Sequence, residues 1–209
     1  MTHSHRILTA FAVTLAVAVP AVAGPPLLCH PFDIGSAQSL PWDGTRGWSH
    51  GRSDYSLKNL VQDTERLVQP DTPVVVRMET MRRAAIYASQ DPDVAAALLD
   101  ALGSPARVSR DPLASLDTAY AIEALNQMTM LGPASEFGGR VAGVKRVLAG
   151  RNAAPLIEAA ARARPSDPAV SFAAAMILIG KDKDAYRSHA ARARASEDAL
   201  VRKNLHHLS

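Results

Sequence analysis

The chain has 209 residues and a formal net charge of +3, with 47% hydrophobic and 21% charged residues. Charges of both signs are mixed along the chain, so this mild balance excludes the strong basic patches that indicate binding to nucleic acid or to a membrane surface. The single cysteine, Cys29, cannot form an internal disulfide, and stability must therefore come from packing.

Residues 1–23 have the features of a cleavable export signal. Arg6 provides a positive start, and an uncharged apolar stretch follows at residues 7–19. The small residues of Ala21-Val22-Ala23 precede the predicted cleavage site before Gly24. The apolar stretch is shorter than the roughly 20 residues that a membrane span needs. We therefore expect an exported protein, periplasmic or secreted, with no membrane span after signal cleavage.

Residues 24–53 are predicted to form an extended arm, because their density of proline and glycine disfavours regular helix. The arm holds both tryptophans, Trp42 and Trp48, and several large aliphatic residues, which favours burial over exposure to water. We expect it to pack along the rest of the protein, with both tryptophans and Cys29 shielded. The alternative role for Trp42, Trp48 and Tyr55 is an aromatic binding surface for sugar or peptide.

From about Asp54 onwards, apolar residues recur with the 3.6-residue period of amphipathic helices. Three Asp-Pro pairs are typical of helix starts, because the carboxylate accepts free backbone N–H groups and proline lacks only an N–H that would be unpaired. These patterns predict an all-α protein, an α-solenoid or an irregular bundle, with about nine helices over residues 54–209. The three predicted starts are Asp91-Pro92, Asp111-Pro112 and Asp167-Pro168.

The second predicted helix, over residues 74–89, carries several charged side chains. Glu79 and Arg83 have the spacing of a well-oriented ion pair on a helix surface. Arg77 and Arg82 lie beside them in the sequence. The four side chains are therefore expected to form a solvated, ion-paired helix face.

The stretch from Ser166 to Ser196 resembles a tetratricopeptide-like helix pair, with Asp167-Pro168 at its start and Gly180 at its turn. It departs from that family at the large aromatic positions, and no strict repeat of about 34 residues is visible. The resemblance implies a helical-repeat scaffold. The small residues that carry it are Ala174 and Ala175 in the first helix and Ala185, Ala190 and Ala193 in the second.

Cys29, His30 and Asp33 are the most suggestive candidates for chemistry, since they place three potential metal ligands within five residues. Cysteine and histidine are also a nucleophile and a base by type. The usual zinc-ligand spacings are absent, so packing of Cys29 and local hydrogen bonds of His30 and Asp33 are favoured. His206 and His207 are further candidate ligands, although histidines suit a helix C terminus for electrostatic reasons alone.

The opening Cys29-His30-Pro31-Phe32-Asp33-Ile34-Gly35 is similar to uncharacterised exported bacterial proteins, which implies no activity. His50 is an isolated histidine for which the sequence identifies no partner. The chain has no phosphate-binding loop, dinucleotide fingerprint, GxSxG or HExxH motif. No catalytic residue and no cofactor is predicted, and the oligomeric state stays open.

Two hypotheses from different functional classes follow. The first is an exported helical-repeat scaffold that binds a protein or peptide partner, based on the repeat-like helices and the missing catalytic motifs. The second is a small enzyme or metal-binding protein that uses Cys29, His30 and Asp33. The candidate binding residues are Cys29, His30, Asp33, Trp42 and Trp48.

Overall fold

The computed structural model describes residues 25–208. Their regular structure is helical, with no β-strand, so the predicted all-α class is confirmed. The predicted export signal lies outside the described residues. None of the helices within residues 25–208 is long and apolar enough to cross a membrane. In chain order the α-helices are α1 (Pro26–Cys29), α2 (Leu60–Leu67), α3 (Val74–Ala88), α4 (Pro92–Leu102), α5 (Pro105–Val108), α6 (Ala114–Met128), α7 (Val141–Leu148), α8 (Ala153–Ala163), α9 (Pro168–Leu178), α10 (Lys183–Arg194) and α11 (Ala199–Asn204).

The predicted helix starts are confirmed at two of the three Asp-Pro pairs. Asp91 and Asp167 each accept hydrogen bonds from free backbone N–H groups in the first turn of α4 and of α9. The prediction for Asp111 is only partly right, since α6 begins at Ala114 and its N-cap residue is Leu113. Asp111 does accept a hydrogen bond from the Leu113 N–H, at 2.9 Å, but its carboxylate also forms a buried ion pair with Arg77.

The helices α3 and α6 pack against each other. Almost all of their side chains are buried, which places the two helices at the centre of the protein. The helices α2, α4 and α9 pack around α3, while α7, α8 and α9 pack around α6. Next along the chain, α9 and α10 form a closely packed helix pair. The turn between them contains Gly180 at a φ of 72°, a left-handed conformation that favours glycine.

Residues 25–53 form the arm, which lies against this core. The prediction that the arm lacks regular helix is wrong for one turn, since Pro26–Cys29 forms α1. Proline is tolerated there because an N–H at the first helical position would have no partner. Leu27, Leu28 and Leu40 are fully buried, and α1 packs against α6 and α9. The arm is therefore part of the hydrophobic core.

Candidate functional site

One face of α3 carries buried polar side chains that bind the backbone of the arm. The carboxylate of Glu79 accepts a hydrogen bond from the Phe32 N–H at 3.1 Å. The guanidinium of Arg82 donates to the carbonyl oxygens of Leu28 and Trp48, at 3.2 and 2.8 Å. The expectation of a solvated face is therefore wrong, because these charges are buried under the arm and their hydrogen bonds offset the cost of removing them from water.

Two further α3 side chains extend this contact along the arm. Arg83 donates to the carbonyl oxygen of Leu40 at 2.7 Å, and the Tyr87 hydroxyl donates to that of Pro41 at 2.6 Å. Arg83 also forms the predicted ion pair with Glu79, at 2.7 Å. Burial acts to raise the pKa of Glu79, but the ion pairs with its two arginine neighbours outweigh burial and hold that pKa below its usual value.

A second buried ion cluster joins α3 to α5 and α6. Arg77 pairs with Asp117 at 2.6 Å and with Asp111 at 2.8 Å, and Arg107 pairs with Asp117 at 2.5 Å. Complete burial raises the pKa of Asp117 to about 6, against the opposing charges of Arg77 and Arg107. A cavity of about 370 Å³ opens beside Arg107 and Asp111. Two arginines and two carboxylates thus balance each other within the cluster.

The structure gives the side chains of His30 and Asp33 separate partners and leaves Cys29 a half-buried free thiol. Asp33 accepts a hydrogen bond from a backbone N–H two residues further on and lies 3.6 Å from the ammonium group of Lys203. The His30 ring faces His207, with 6.1 Å between ring centroids. Burial raises the pKa of the half-buried Cys29 thiol to about 11. Within residues 25–208, no group of three or more His, Cys, Asp or Glu side chains is placed to hold a metal ion.

Of the two C-terminal histidines, His207 packs against the arm. The His207 ring lies 4.8 Å from the Phe32 ring and 4.1 Å from the His206 ring, measured between centroids. Burial, together with His206 and His30, lowers the pKa of His207 to about 4. A neutral His207 therefore packs as an aromatic residue against the arm.

Both tryptophans are half-buried and fix the arm to the helices. Trp42 meets the Tyr87 ring edge-on at a centroid distance of 5.8 Å, and the Arg82 guanidinium lies 4.9 Å from the Trp42 ring centroid. Trp48 stacks on Phe137, also at 5.8 Å. Aromatic and cation–π contacts of this kind stabilise packing. They account for both tryptophans as structural residues.

The structure gives His50 the partners that the sequence could not identify. The Ser49 hydroxyl oxygen lies 3.0 Å from Nδ1 of His50, and a Glu136 carboxylate oxygen lies 3.5 Å from Nε2 of the same ring. All three residues line a cavity of about 200 Å³ between the arm, the end of α3 and the segment before α7. Glu136 is distant in sequence, so only the fold brings it to His50. The arginines that line this cavity are Arg46, Arg52 and Arg140.

A larger and mostly apolar groove, of about 550 Å³, lies between α4, α6 and α8. The buried side chains of Leu99 and Ile122 contribute to its lining, together with the half-buried Leu156. An ion pair between Arg151 and Asp100, at 2.7 Å, borders the groove. No residue of this groove stands out in the sequence, because apolar residues at helical spacing look alike whether they face the core or an open groove.

No known family model matches the chain, and no curated protein or solved structure is similar to it. Function must therefore be inferred from the sites themselves. An all-α architecture does not fix an activity, because the same fold hosts many functions. Within residues 25–208, the groove between α4, α6 and α8 combines an open cavity with apolar side chains, and the cavity at His50 combines one with polar and charged side chains.

Proposed function

We propose that this chain is an exported helical scaffold that binds a protein or peptide partner in the groove between α4, α6 and α8. The observation that carries the proposal is the mostly apolar lining of an open groove, to which the half-buried Leu156 contributes together with the buried Leu99 and Ile122. Covering apolar surface is favourable, and open apolar grooves between helices commonly receive amphipathic segments. The expected partner segment carries apolar anchor residues for the groove, and beside them charged residues that complement the charges of Arg151 and Asp100.

Two features of the sequence support the same function. The resemblance of residues 166–196 to a tetratricopeptide-like helix pair favours a scaffold, because stacked helix pairs present extended binding surfaces. The signal-like features of residues 1–23 favour a role outside the cytoplasm. Neither feature depends on the groove, so the two lines of support are independent of its geometry.

The alternative is a small enzyme or metal-binding protein that uses Cys29, His30 and Asp33. It has less support, because a thiol with a raised pKa is a weak nucleophile and a weak metal ligand at neutral pH. His30 and Asp33 also have partners of their own, in the His207 ring and in Lys203.

The proposed function is tested by selecting peptides from a random library on the folded protein and measuring their affinities by calorimetry. Leu156→Glu places a carboxylate in the groove and should weaken binding about tenfold or more. Met130→Glu introduces the same charge at a residue that is 64% exposed and does not line the groove, and it should leave the affinity unchanged. The proposal fails if no peptide is selected, or if the selected peptides bind Leu156→Glu as tightly as the wild type.

A further inference from the structure

We propose that Ser49, His50 and Glu136 form a hydrolytic site for small esters that carry a carboxylate. The site shares no lining residue with the groove, so this inference does not depend on the scaffold function. Ser49 is the nucleophile and His50 its general base, since 3.0 Å between hydroxyl oxygen and Nδ1 is within hydrogen-bond reach. Glu136, at 3.5 Å from Nε2, is a positioning residue on the opposite side of the ring.

One aromatic contact fixes the two segments that supply the site. Trp48 immediately precedes Ser49, Phe137 immediately follows Glu136, and the two rings stack at 5.8 Å. The carbonyl oxygen of Trp48 also accepts a hydrogen bond from the buried Arg82. The hydroxyl and the carboxylate therefore belong to segments that are held together before any substrate binds, which is what a preorganised site needs.

The residues that follow His50 are anchored as well. Gly51 lies against the ring of Tyr87, where a Cβ atom on residue 51 would be 2.5 Å from Cζ of that ring. The Arg52 N–H donates a hydrogen bond to the Tyr87 hydroxyl at 2.8 Å. Ser49 and His50 thus lie between two anchored residues, Trp48 and Gly51.

The site is open to a substrate, and the neighbours of the His50 ring suit a tautomer that can act as a base. The side chains of His50 and Glu136 are 39% and 38% exposed. Either ring nitrogen of histidine can act as a base, provided that the N–H on the other nitrogen is oriented by an acceptor. Here Nδ1 faces the serine and Nε2 faces the carboxylate, so Glu136 favours the tautomer in which Nδ1 is free to take a proton.

The charge of the cavity indicates the class of substrate. Two of its three arginines form ion pairs with nearby aspartates. Within residues 25–208 no carboxylate pairs with Arg140, whose guanidinium donates to the Ser89 hydroxyl at 3.2 Å and lies 5.3 Å from the Phe137 ring centroid. A substrate carboxylate would supply the missing charged partner, and a volume of about 200 Å³ limits the substrate to a small acyl group.

The reaction is an acyl transfer to Ser49 followed by hydrolysis. The serine oxygen attacks the ester carbonyl carbon while Nδ1 of His50 takes the hydroxyl proton. The bond to the alcohol oxygen then breaks, and the alcohol leaves with the proton from the imidazolium, so that an acyl-serine remains. Water then attacks the acyl carbon while His50 takes a proton from the water. The bond from that carbon to the serine oxygen breaks, and the imidazolium returns the proton to this oxygen, which regenerates Ser49 and releases the free acid.

A fluorophosphonate probe, which reacts with base-activated serines, tests the site on the wild-type protein with mass spectrometry to locate the adduct. We expect the adduct on Ser49, and faster hydrolysis of mono-4-nitrophenyl succinate than of 4-nitrophenyl acetate, which lacks the carboxylate. Ser49→Ala should abolish both reactions. Ser36→Ala removes an exposed serine hydroxyl elsewhere on the arm, outside this cavity, and should leave both unchanged. An unlabelled Ser49 in the wild type, or hydrolysis that survives in Ser49→Ala, would overturn the proposal.

Two further variants separate the assigned roles from a structural effect. Glu136→Gln should lower kcat for the succinate ester about tenfold or more while KM and the melting temperature stay unchanged. Arg140→Gln should remove the preference for the succinate ester over the acetate ester. An unchanged kcat in the first variant, or an unchanged preference in the second, contradicts the corresponding role.

Discussion

Glu79 and Arg82 form an ion pair at 2.8 Å in which neither side chain is accessible to solvent, and each of them also binds the backbone of the arm. The pair therefore ties the central helix α3 to a segment that is far away in sequence. Buried pairs add little net stability over apolar packing, but removing one partner leaves an uncompensated charge.

Glu79→Gln should lower the free energy of unfolding by about 3–5 kcal/mol, because Arg82 and Arg83 lose their buried counter-charge. The matched control is Asp54→Asn, which breaks the exposed pair with Arg52 and should leave stability nearly unchanged, because solvent screens exposed ion pairs. Denaturant unfolding measures both variants. Similar losses in the two would show that burial does not set the strength of the arm contact.

Asp111→Ala should cost more than the loss of a helix cap, because Asp111 accepts the Leu113 N–H and pairs with the fully buried Arg77. We expect a loss of about 3–5 kcal/mol, typical of breaking a buried pair. Asp91→Ala is the control, since Asp91 begins the same kind of Asp-Pro helix start and acts as a cap alone. That control should cost about 0.5–2 kcal/mol, and equal costs would contradict the ion-pair role of Asp111.

Gly51→Ala should destabilise the protein by about 1–3 kcal/mol, because its Cβ would overlap the Tyr87 ring and force the arm away from α3. Gly44→Ala, elsewhere on the same arm, has no atom within 4 Å of its added Cβ and should change stability by less than about 0.5 kcal/mol. Thermal unfolding distinguishes the two. A neutral Gly51→Ala would mean that the arm does not approach Tyr87 closely in solution.

Cys29 should react slowly with a thiol reagent in the native state. Burial raises its pKa to about 11, so little thiolate is present at neutral pH and the rate should rise with pH to a midpoint above the usual ~8.5. Unfolding in denaturant should restore an ordinary thiol rate, which serves as the internal control. Rapid native labelling with a midpoint below ~8.5 would instead favour the enzyme or metal-binding alternative.

The sequence is informative where local rules decide the outcome. The helical period and the Asp91 and Asp167 starts predict the class of fold and the beginnings of α4 and α9, because capping and amphipathicity act within a few residues. The burial of Glu79 and Arg82 could not be predicted in this way. Their spacing on a helix is the same whether they face water or the backbone of a distant arm.

The candidate sites likewise combine local features that the sequence shows with long-range contacts that it does not predict. His50 and its neighbour Ser49 are adjacent in the sequence, but Glu136 reaches them only in the folded protein, where Trp48 stacks on Phe137. The groove between α4, α6 and α8 likewise depends on how the helices pack, which apolar periodicity does not specify. Long-range contacts, rather than motifs, define both sites.

The structural roles assigned to the arm and the geometry of the His50 cavity both require that the arm is part of the folded core. Amide hydrogen exchange at Leu27 and Phe32 tests this most directly, because their N–H groups donate to buried side-chain oxygens of Gln127 and Glu79, at 2.9 and 3.1 Å. We predict that both amides exchange as slowly as those of α3, through global unfolding. Exchange at the rate of an open, unprotected segment would contradict the placement of the arm and, with it, the His50 site.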